Sequence, residues 1–323
     1  MVPAVRPVRG EVALIGHEQV LGAIEPRQAI DRVRDSFVRF ARGEWTMPPK
    51  TYVQSPPNGD FRAMPALGSG FAILKWVTSF PGNPGRGLPT VTGIVLVSDA
   101  DNGEPLALVD ARAVTALRTG ASAAVATELL ARPGANSVGI VGCGLHGAWA
   151  ARCLAELGFS EGICFDLDGD AAKGLADELG WRGGSLEDAL ACDVVTTVTP
   201  GKQPVIERGH IRSGMHINAL GADGSGKAEM DVSAVAACRV FCDEWEQASH
   251  GGEITGAVQQ GLLDRSSVTE IGSVLNGASG GRESEEDATL FDSTGLAIQD
   301  LAIVVALMDS LASGDLQPET VSL

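Results

Sequence analysis

Two styles of hydrophobic patterning divide the chain. Near the start, PRQAIDRVRDSFVRFAR (26–42) places Ile30, Val33, Phe37, Val38 and Ala41 at helical spacing, and Gly43 ends the run. From Met47 to Asp110, strand-length apolar pieces are separated by Pro and Gly: Thr51–Gln54, Phe61–Pro65, Phe71–Thr78, Thr90–Ser98 and Pro105–Val109. Such pieces joined by turns predict a mainly antiparallel sheet. A helix is predicted over Ala111–Leu130, closed by Arg132, Pro133 and Gly134.

After Asn136 the rhythm changes. SVGIVG (137–142), GICFDLD (162–168), DVVTTVT (193–199), MHINALGA (215–222) and CRVFCDE (238–244) read as strands; LHGAWAARCLAELG (145–158) and DAAKGLADELG (170–180) read as helices. Ser185 and Asp188 stand at capping-box spacing and open another helix. Strand, helix, strand repetition with fully apolar strands predicts an α/β fold, its parallel sheet covered on both faces. The helical run GLAIQDLAIVVALMDSLA (295–312) lies outside that repeat.

Composition narrows the function. Hydrophobic residues make up 44% and charged residues 20%, as expected of a globular chain with a sizeable core. Lys plus Arg number 24 against 41 Asp plus Glu, a net charge of −17 with no basic run, which argues against a nucleic-acid partner. The apolar stretch Leu296 to Met308 is short and interrupted by Gln299 and Asp300, so no membrane span is expected. The opening MVPAVRPVRGEVALIGHEQ has no apolar core with a cleavage site, so no signal peptide is expected. Of six cysteines, Cys143, Cys164, Cys192 and Cys242 sit in or beside strand-like runs, and Cys238 has no ligand-spaced partner set. They read as structural thiols of a cytoplasmic protein, with no metal site. The acidic run Glu283, Glu285, Glu286 and Asp287 reads as a solvated loop, and His250 as a hydrogen-bonded loop residue.

Gly142-Cys143-Gly144-Leu145-His146-Gly147 fits the spacing G-x-G-x-x-G. With 41 glycines in 323 residues, about 0.65 such matches arise by chance, so context must carry the reading. The match follows an apolar strand and opens a helix, and a second strand ends in Asp166. Gly142 and Gly144 would give a tight turn and close approach to a pyrophosphate, and Gly147 would let helix and strand pack. Asp166 would accept the ribose hydroxyls and repel a 2′-phosphate, and Leu167 and Asp168 follow it without an arginine, so NAD is favoured over NADP. A second cluster, Gly221 to Lys227, has phosphate-loop spacing, but Ala228 replaces the required Ser or Thr and an NTPase is rejected.

Several further segments carry a resemblance: MPPKTYV (47–53), GDFRAMPA (59–66), LKWVTSFPGNPGRGLPTV (74–91), LRTGASA (117–123), GCGLHG (142–147), HINALGADGSGK (216–227), EQASHGGEI (246–254) and GRESEEDATLFDSTGLAIQD (281–300). In this order, over nearly the whole chain, they resemble the ornithine cyclodeaminase/mu-crystallin family, and within it the archaeal-type alanine dehydrogenase branch. The resemblance implies a Rossmann dinucleotide-binding domain (128–295) and a smaller α+β substrate-binding domain (1–127 with 296–323), whose sheet joins a second subunit in a homodimer. It implies hydride transfer between a nicotinamide cofactor and a small amino or imino acid.

By resemblance, Lys75 is the catalytic lysine and Asp223 the catalytic or substrate-orienting carboxylate. Arg62, with Lys50, would hold the substrate carboxylate. Arg118 would lie beside the cofactor phosphates, and Leu145, His146, Asp166, Asp168, Thr199 and Ser293 would touch the dinucleotide.

The chemistry of these residues is consistent with those roles. An arginine fork orients a carboxylate, and a lysine desolvated by apolar neighbours such as Leu74 and Trp76 has its pKa lowered toward the operating pH. Blander readings remain open: Lys75 as a snorkelling edge-strand lysine, Asp223 as a turn cap, and Arg62 as the partner of a surface carboxylate. The expected reaction is reductive amination of a 2-oxo acid such as pyruvate, or reduction of a preformed imine, including iminosuccinate or a cyclic ketimine. Cyclodeamination of ornithine is disfavoured because Gly224, not a cysteine, follows Asp223. A non-enzymatic ligand-binding role is disfavoured because Lys75 and Asp223 are both present.

Overall fold

A computed structural model describes residues 10–201, 203–224 and 226–322. The leader reading thus falls, for residues 1–9, outside the described residues, as does Ser225 of the rejected phosphate-loop match. The chain forms two compact units, one from its two ends, up to Arg118 and from Leu296 onward, the other Thr119–Gly295.

The first unit opens with β1 (Glu11–Ile15), α1 (His17–Ala23) and α2 (Pro26–Ala41), followed by β2 (Thr51–Ser55), β3 (Gly59–Gly68), β4 (Phe71–Ser79), β5 (Val91–Asp99) and β6 (Pro105–Asp110). Helix α3 (Ala111–Leu130) runs on into the second unit. There follow β7 (Ser137–Val141), α4 (Leu145–Ala155), β8 (Glu161–Phe165), α5 (Gly169–Leu179), β9 (Arg182–Gly183), α6 (Leu186–Leu190) and β10 (Val194–Thr197). Next come β11 (His216–Ala219), α7 (Val232–Val235), β12 (Arg239–Cys242), α8 (Trp245–Gly251), α9 (Thr255–Gln259), β13 (Val268–Glu270), α10 (Ile271–Leu275) and β14 (Thr289–Asp292). The chain then returns to the first unit with α11 (Ala297–Ser313) and β15 (Glu319–Ser322).

In the first unit the sheet order is β15-β1-β6-β5-β4-β3-β2. All pairs are antiparallel except β1 with β6. Strand alternation sorts the side chains: Met64 and Ala66, Ile73, Lys75 and Val77, and Val95 and Val97 share the buried face. Helix α11 packs on β3, β4 and α2. Leu67, Leu74, Trp76 and Ile94 take the opposite face and are exposed.

This alternation corrects two sequence readings. Leu74 and Trp76 cannot desolvate Lys75, because a period of two turns them away from it. Nor is Lys75 an edge residue: β4 lies between β3 and β5, and the lysine is 1% exposed.

The second unit holds an all-parallel sheet in the order β13-β12-β14-β11-β10-β7-β8-β9. The order reverses between β7 and β10, and the crevice at such a switch point, beyond the strands' carboxyl ends, is where doubly wound sheets bind ligands. The apolar strands supply the core, with Val138, Ile140, Val194, Val195, Ile217 and Leu290 at most 1% exposed. Strands β13 and β14 were not legible in the sequence: β13 has only three residues, and β14 directly follows the acidic run Glu283–Asp287, which reads as a loop. No described helix is long and apolar enough to cross a membrane.

Candidate functional site

The glycine turn in the second unit is built as the spacing requires. Gly142 has φ +99, and a Cβ there would stand 2.6 Å from the Val198 carbonyl oxygen. A Cβ on Gly147 would stand 1.8 Å from the Gly142 carbonyl oxygen, so the closure of β7 onto α4 depends on both residues lacking side chains. Gly144 is exposed and is the N-cap of α4, and Leu145 and His146 form that helix's first turn. The free N–H groups and positive end of an 11-residue helix lie here.

Asp166 follows β8 directly. Its Oδ2 accepts the Cys143 N–H at 2.6 Å and its Oδ1 the Asp168 N–H at 2.9 Å, so the carboxylate clasps the glycine turn. Asp168 is exposed and caps α5, accepting from Asp170 and Ala171 N–H at 3.1 and 3.3 Å. Thr199 and Ser293 lie just past β10 and β14; the Thr199 hydroxyl is buried beside Glu229, and the Ser293 hydroxyl is buried without a hydrogen-bond partner among the described residues. Buried hydroxyls rarely stay unpaired. A tight glycine turn on a helix start, an acid after the second strand and a spare hydroxyl suit a dinucleotide.

Beyond β11, Asp223 is half-buried and accepts from Lys227 Nζ at 2.6 Å. Close by in sequence, Glu229 is fully buried. It accepts the Thr197 hydroxyl at 2.8 Å, the Thr199 N–H at 2.6 Å and the Gly221 N–H at 2.7 Å. It thereby ties the end of β10 to the loop that carries Asp223. Burial raises its pKa, opposed by these donors.

Glu253 in turn accepts the Glu229 N–H at 3.0 Å and the Met230 N–H at 2.6 Å, and burial pushes it up to about 7. Asp292 accepts the Ile254 N–H at 3.0 Å; burial first, then neighbouring Asp243, raises it well above the carboxylate range. These three acids were missed in the sequence, where each looks like one of many surface carboxylates. His250 lies in α8, which the Glu244 side chain caps, and not in a loop; its ring bonds the Glu246 carbonyl one turn back at 2.8 Å.

In the first unit, Lys75 Nζ donates to Asp300 Oδ1 at 2.9 Å. Arg118 Nε lies 3.5 Å from the same oxygen, and Arg118 Nη1 donates to Gln299 Oε1 at 3.3 Å. Asp300 is fully buried, and its Oδ2 has no hydrogen-bond partner among the described residues. Burial lowers Lys75 to about 8; Asp300 pulls upward, while Arg118 and Arg62 push down.

Arg62 on β3 is 7% exposed, donates to Asp60 at 2.6 Å and lies over the Tyr52 ring. Lys50 is half-buried, just ahead of β2. Asp300 was missed as a site residue. Its signal was a charge beside Gln299 in an otherwise apolar helix, which sequence reading used only to exclude a membrane span. Among the described residues, no group of His, Cys, Asp or Glu is arranged to hold a metal.

Comparison with known proteins agrees with this architecture. The chain is similar to alanine dehydrogenase of Archaeoglobus fulgidus, with 40% identity over 310 residues, 94% of this chain and 96% of that one. It is similar in structure to an archaeal alanine dehydrogenase, a dimer with bound NAD: TM-score 0.91, 38% identity, 96% of this chain and 99% of the other. It is also similar to Delta(1)-pyrroline-2-carboxylate reductase of Thermococcus litoralis in complex with NADH and L-proline: TM-score 0.89, 28% identity, 94% and 98% coverage. The profile of the ornithine cyclodeaminase/mu-crystallin family matches residues 12–315, and the chain belongs to that family.

Proposed function

We propose that the protein is an NAD-dependent amino-acid dehydrogenase or imino-acid reductase acting on a small 2-oxo acid or its imine, of the alanine and pyruvate type. The observation that carries this reading is Lys75: a buried amine lowered to about 8, close enough to neutrality to give and take a proton, set among guanidinium groups. Pure ligand binding has no use for such a group.

The residues divide the work. Gly142, Gly144 and Gly147, with Leu145 and His146, would hold the pyrophosphate, Asp166 the adenosine ribose, and Thr199 and Ser293 the remaining polar groups of the dinucleotide. Asp166 disfavours the 2′-phosphate of NADP. When bound, the reduced nicotinamide supplies a hydride to the imine carbon. Arg62, with Lys50, orients the substrate carboxylate, Asp60 holding the guanidinium in place. Arg118, fixed by Gln299 and Asp300, adds positive charge for the cofactor phosphates. The Lys75 ammonium protonates the substrate nitrogen, and in the reverse direction the neutral amine takes that proton back. Asp223 orients ammonia, water or the substrate ammonium, with Lys227 as its resting partner.

We also read the chain as a homodimer. The exposed sheet face bearing Val53, Leu67, Leu74, Trp76 and Ile94 is unusually apolar for solvent contact, and Phe61 stacks on Trp76 there. Six thiols, none in a disulfide, support a reducing cytoplasmic setting.

The test is NADH consumption with pyruvate and ammonium, beside ammonia release from ornithine. Steady NADH oxidation is expected. Ammonia release without net NADH change would mark a cyclodeaminase instead, and tight ligand binding without turnover would mark a binding protein.

A further inference from the structure

We propose that Asp300 is the positioning residue of Lys75: its carboxylate fixes where the ammonium sits and keeps the proton on it until substrate binds. The proposal rests on the reading of Lys75 as the proton-transfer group. Three charged groups face that amine: Asp300 from α11, Arg118 from α3 and Arg62 from β3. Only the first is negative. Without it, a fully buried amine would face two guanidinium groups in a low dielectric, and the neutral form would win.

Helix α11 is built to hold that one charge. From Ala297 to Met308 every residue but Gln299 and Asp300 is apolar, and all twelve are buried. Asp300 lies in the first turn, where the helix dipole favours a negative charge. Gln299 beside it orients Arg118.

A merely structural role fits poorly. Apolar residues would anchor α11 on the sheet as well as or better than a buried ion pair. A structural network also tends to saturate its oxygens, whereas Asp300 Oδ2 is buried with no partner among the described residues.

The chain has only five lysines, so Nζ resonances can be resolved in protein labelled with 15N-lysine, and Lys75 assigned as the signal lost in Lys75→Met. In Asp300→Asn, with cofactor binding intact, the Lys75 signal should titrate at least one pH unit lower. The limb of kcat/KM governed by Lys75 should move the same way, with kcat/KM at neutral pH down at least about twofold from the lost ammonium alone.

Asp300→Glu, which keeps the charge but displaces it, should shift both by a smaller amount; if Asp300→Asn does not fold, this variant decides. An unmoved Lys75 titration with activity reduced evenly at every pH would overturn the proposal and leave Asp300 a packing residue. Wild-type turnover in Lys75→Met would instead overturn the assignment of Lys75 itself, whatever its resonance does.

Discussion

In the first unit Lys75, Arg118 and Arg62 each lie against a carboxylate, either Asp300 or Asp60. In the second, Glu229, Glu253 and Asp292 are equally buried but rest on N–H and hydroxyl donors. The difference is one of kind. Opposite charges hold a group ionised and leave a buried ion behind when one partner is lost. Donor dipoles only partly replace water, so the acid keeps a raised affinity for its proton. The first arrangement suits a group that must present a charge, and the second suits a brace that ties strand ends together.

The comparison can be broken most sharply at Lys75. Lys75→Met should lower turnover by about 10²–10⁴-fold while NAD affinity, followed by fluorescence titration, stays within about twofold. Retained turnover would reduce the cationic cluster to a structural feature.

Next in size is the pH dependence of folding. The folded pKa of Glu253, about 7, lies above its ordinary 4.5. Its contribution is therefore full below about 4.5 and is lost as pH rises to about 7, up to about 3 kcal/mol. Glu229 and Asp292, also raised, act in the same direction.

Buried His216, lowered to about 3 chiefly by burial, has the opposite sign: its contribution is full above about 6.5 and is lost as pH falls toward 3. Denaturant melts across this range should show the two slopes offsetting between about 4.5 and 6.5, with Glu253→Gln removing part of the decline toward neutral pH. An unchanged decline in that variant would show that this acid is compensated like those in the first unit.

Smaller effects belong to the half-buried acid of the glycine turn and the hydroxyl beyond β14. Asp166→Ala should cost roughly tenfold in NAD affinity and leave NADP affinity unchanged or improved; equal losses for both cofactors would mean that the carboxylate serves only the glycine turn. Smallest of all, Ser293→Ala should weaken NAD binding about threefold with no loss of melting temperature, since among the described residues its hydroxyl has no partner to lose. A drop in stability alone would remove it from the cofactor site.

Much of this was legible in the residues. The predicted helix over Ala111–Leu130 has those bounds in the structure, Ser185 and Asp188 form the expected capping box, and the Gly142–Gly147 turn closes as its spacing implies. What escaped was what depends on residues far apart in sequence. The burial of Lys75 comes from α11, more than two hundred positions away, and not from its chain neighbours. Glu229, Glu253 and Asp292 acquire meaning only when the loops beyond β10, β11 and β14 converge, and a single sequence gives no reason to choose them among 41 acidic residues. Where a charge interrupts an apolar helical run, as Asp300 does, the interruption itself is the clue.

Lys75 and its carboxylate partner are separated by 225 positions. At ribosomal speeds of about 5–20 residues per second, the lysine emerges on the order of tens of seconds before the aspartate that receives it. During that interval the nascent strand must keep a solvated ammonium where the finished protein has a dry one, so its half of the sheet cannot close early around the amine. The dry, paired state of this lysine is thus a product of completed synthesis, because its carboxylate partner arrives only with α11.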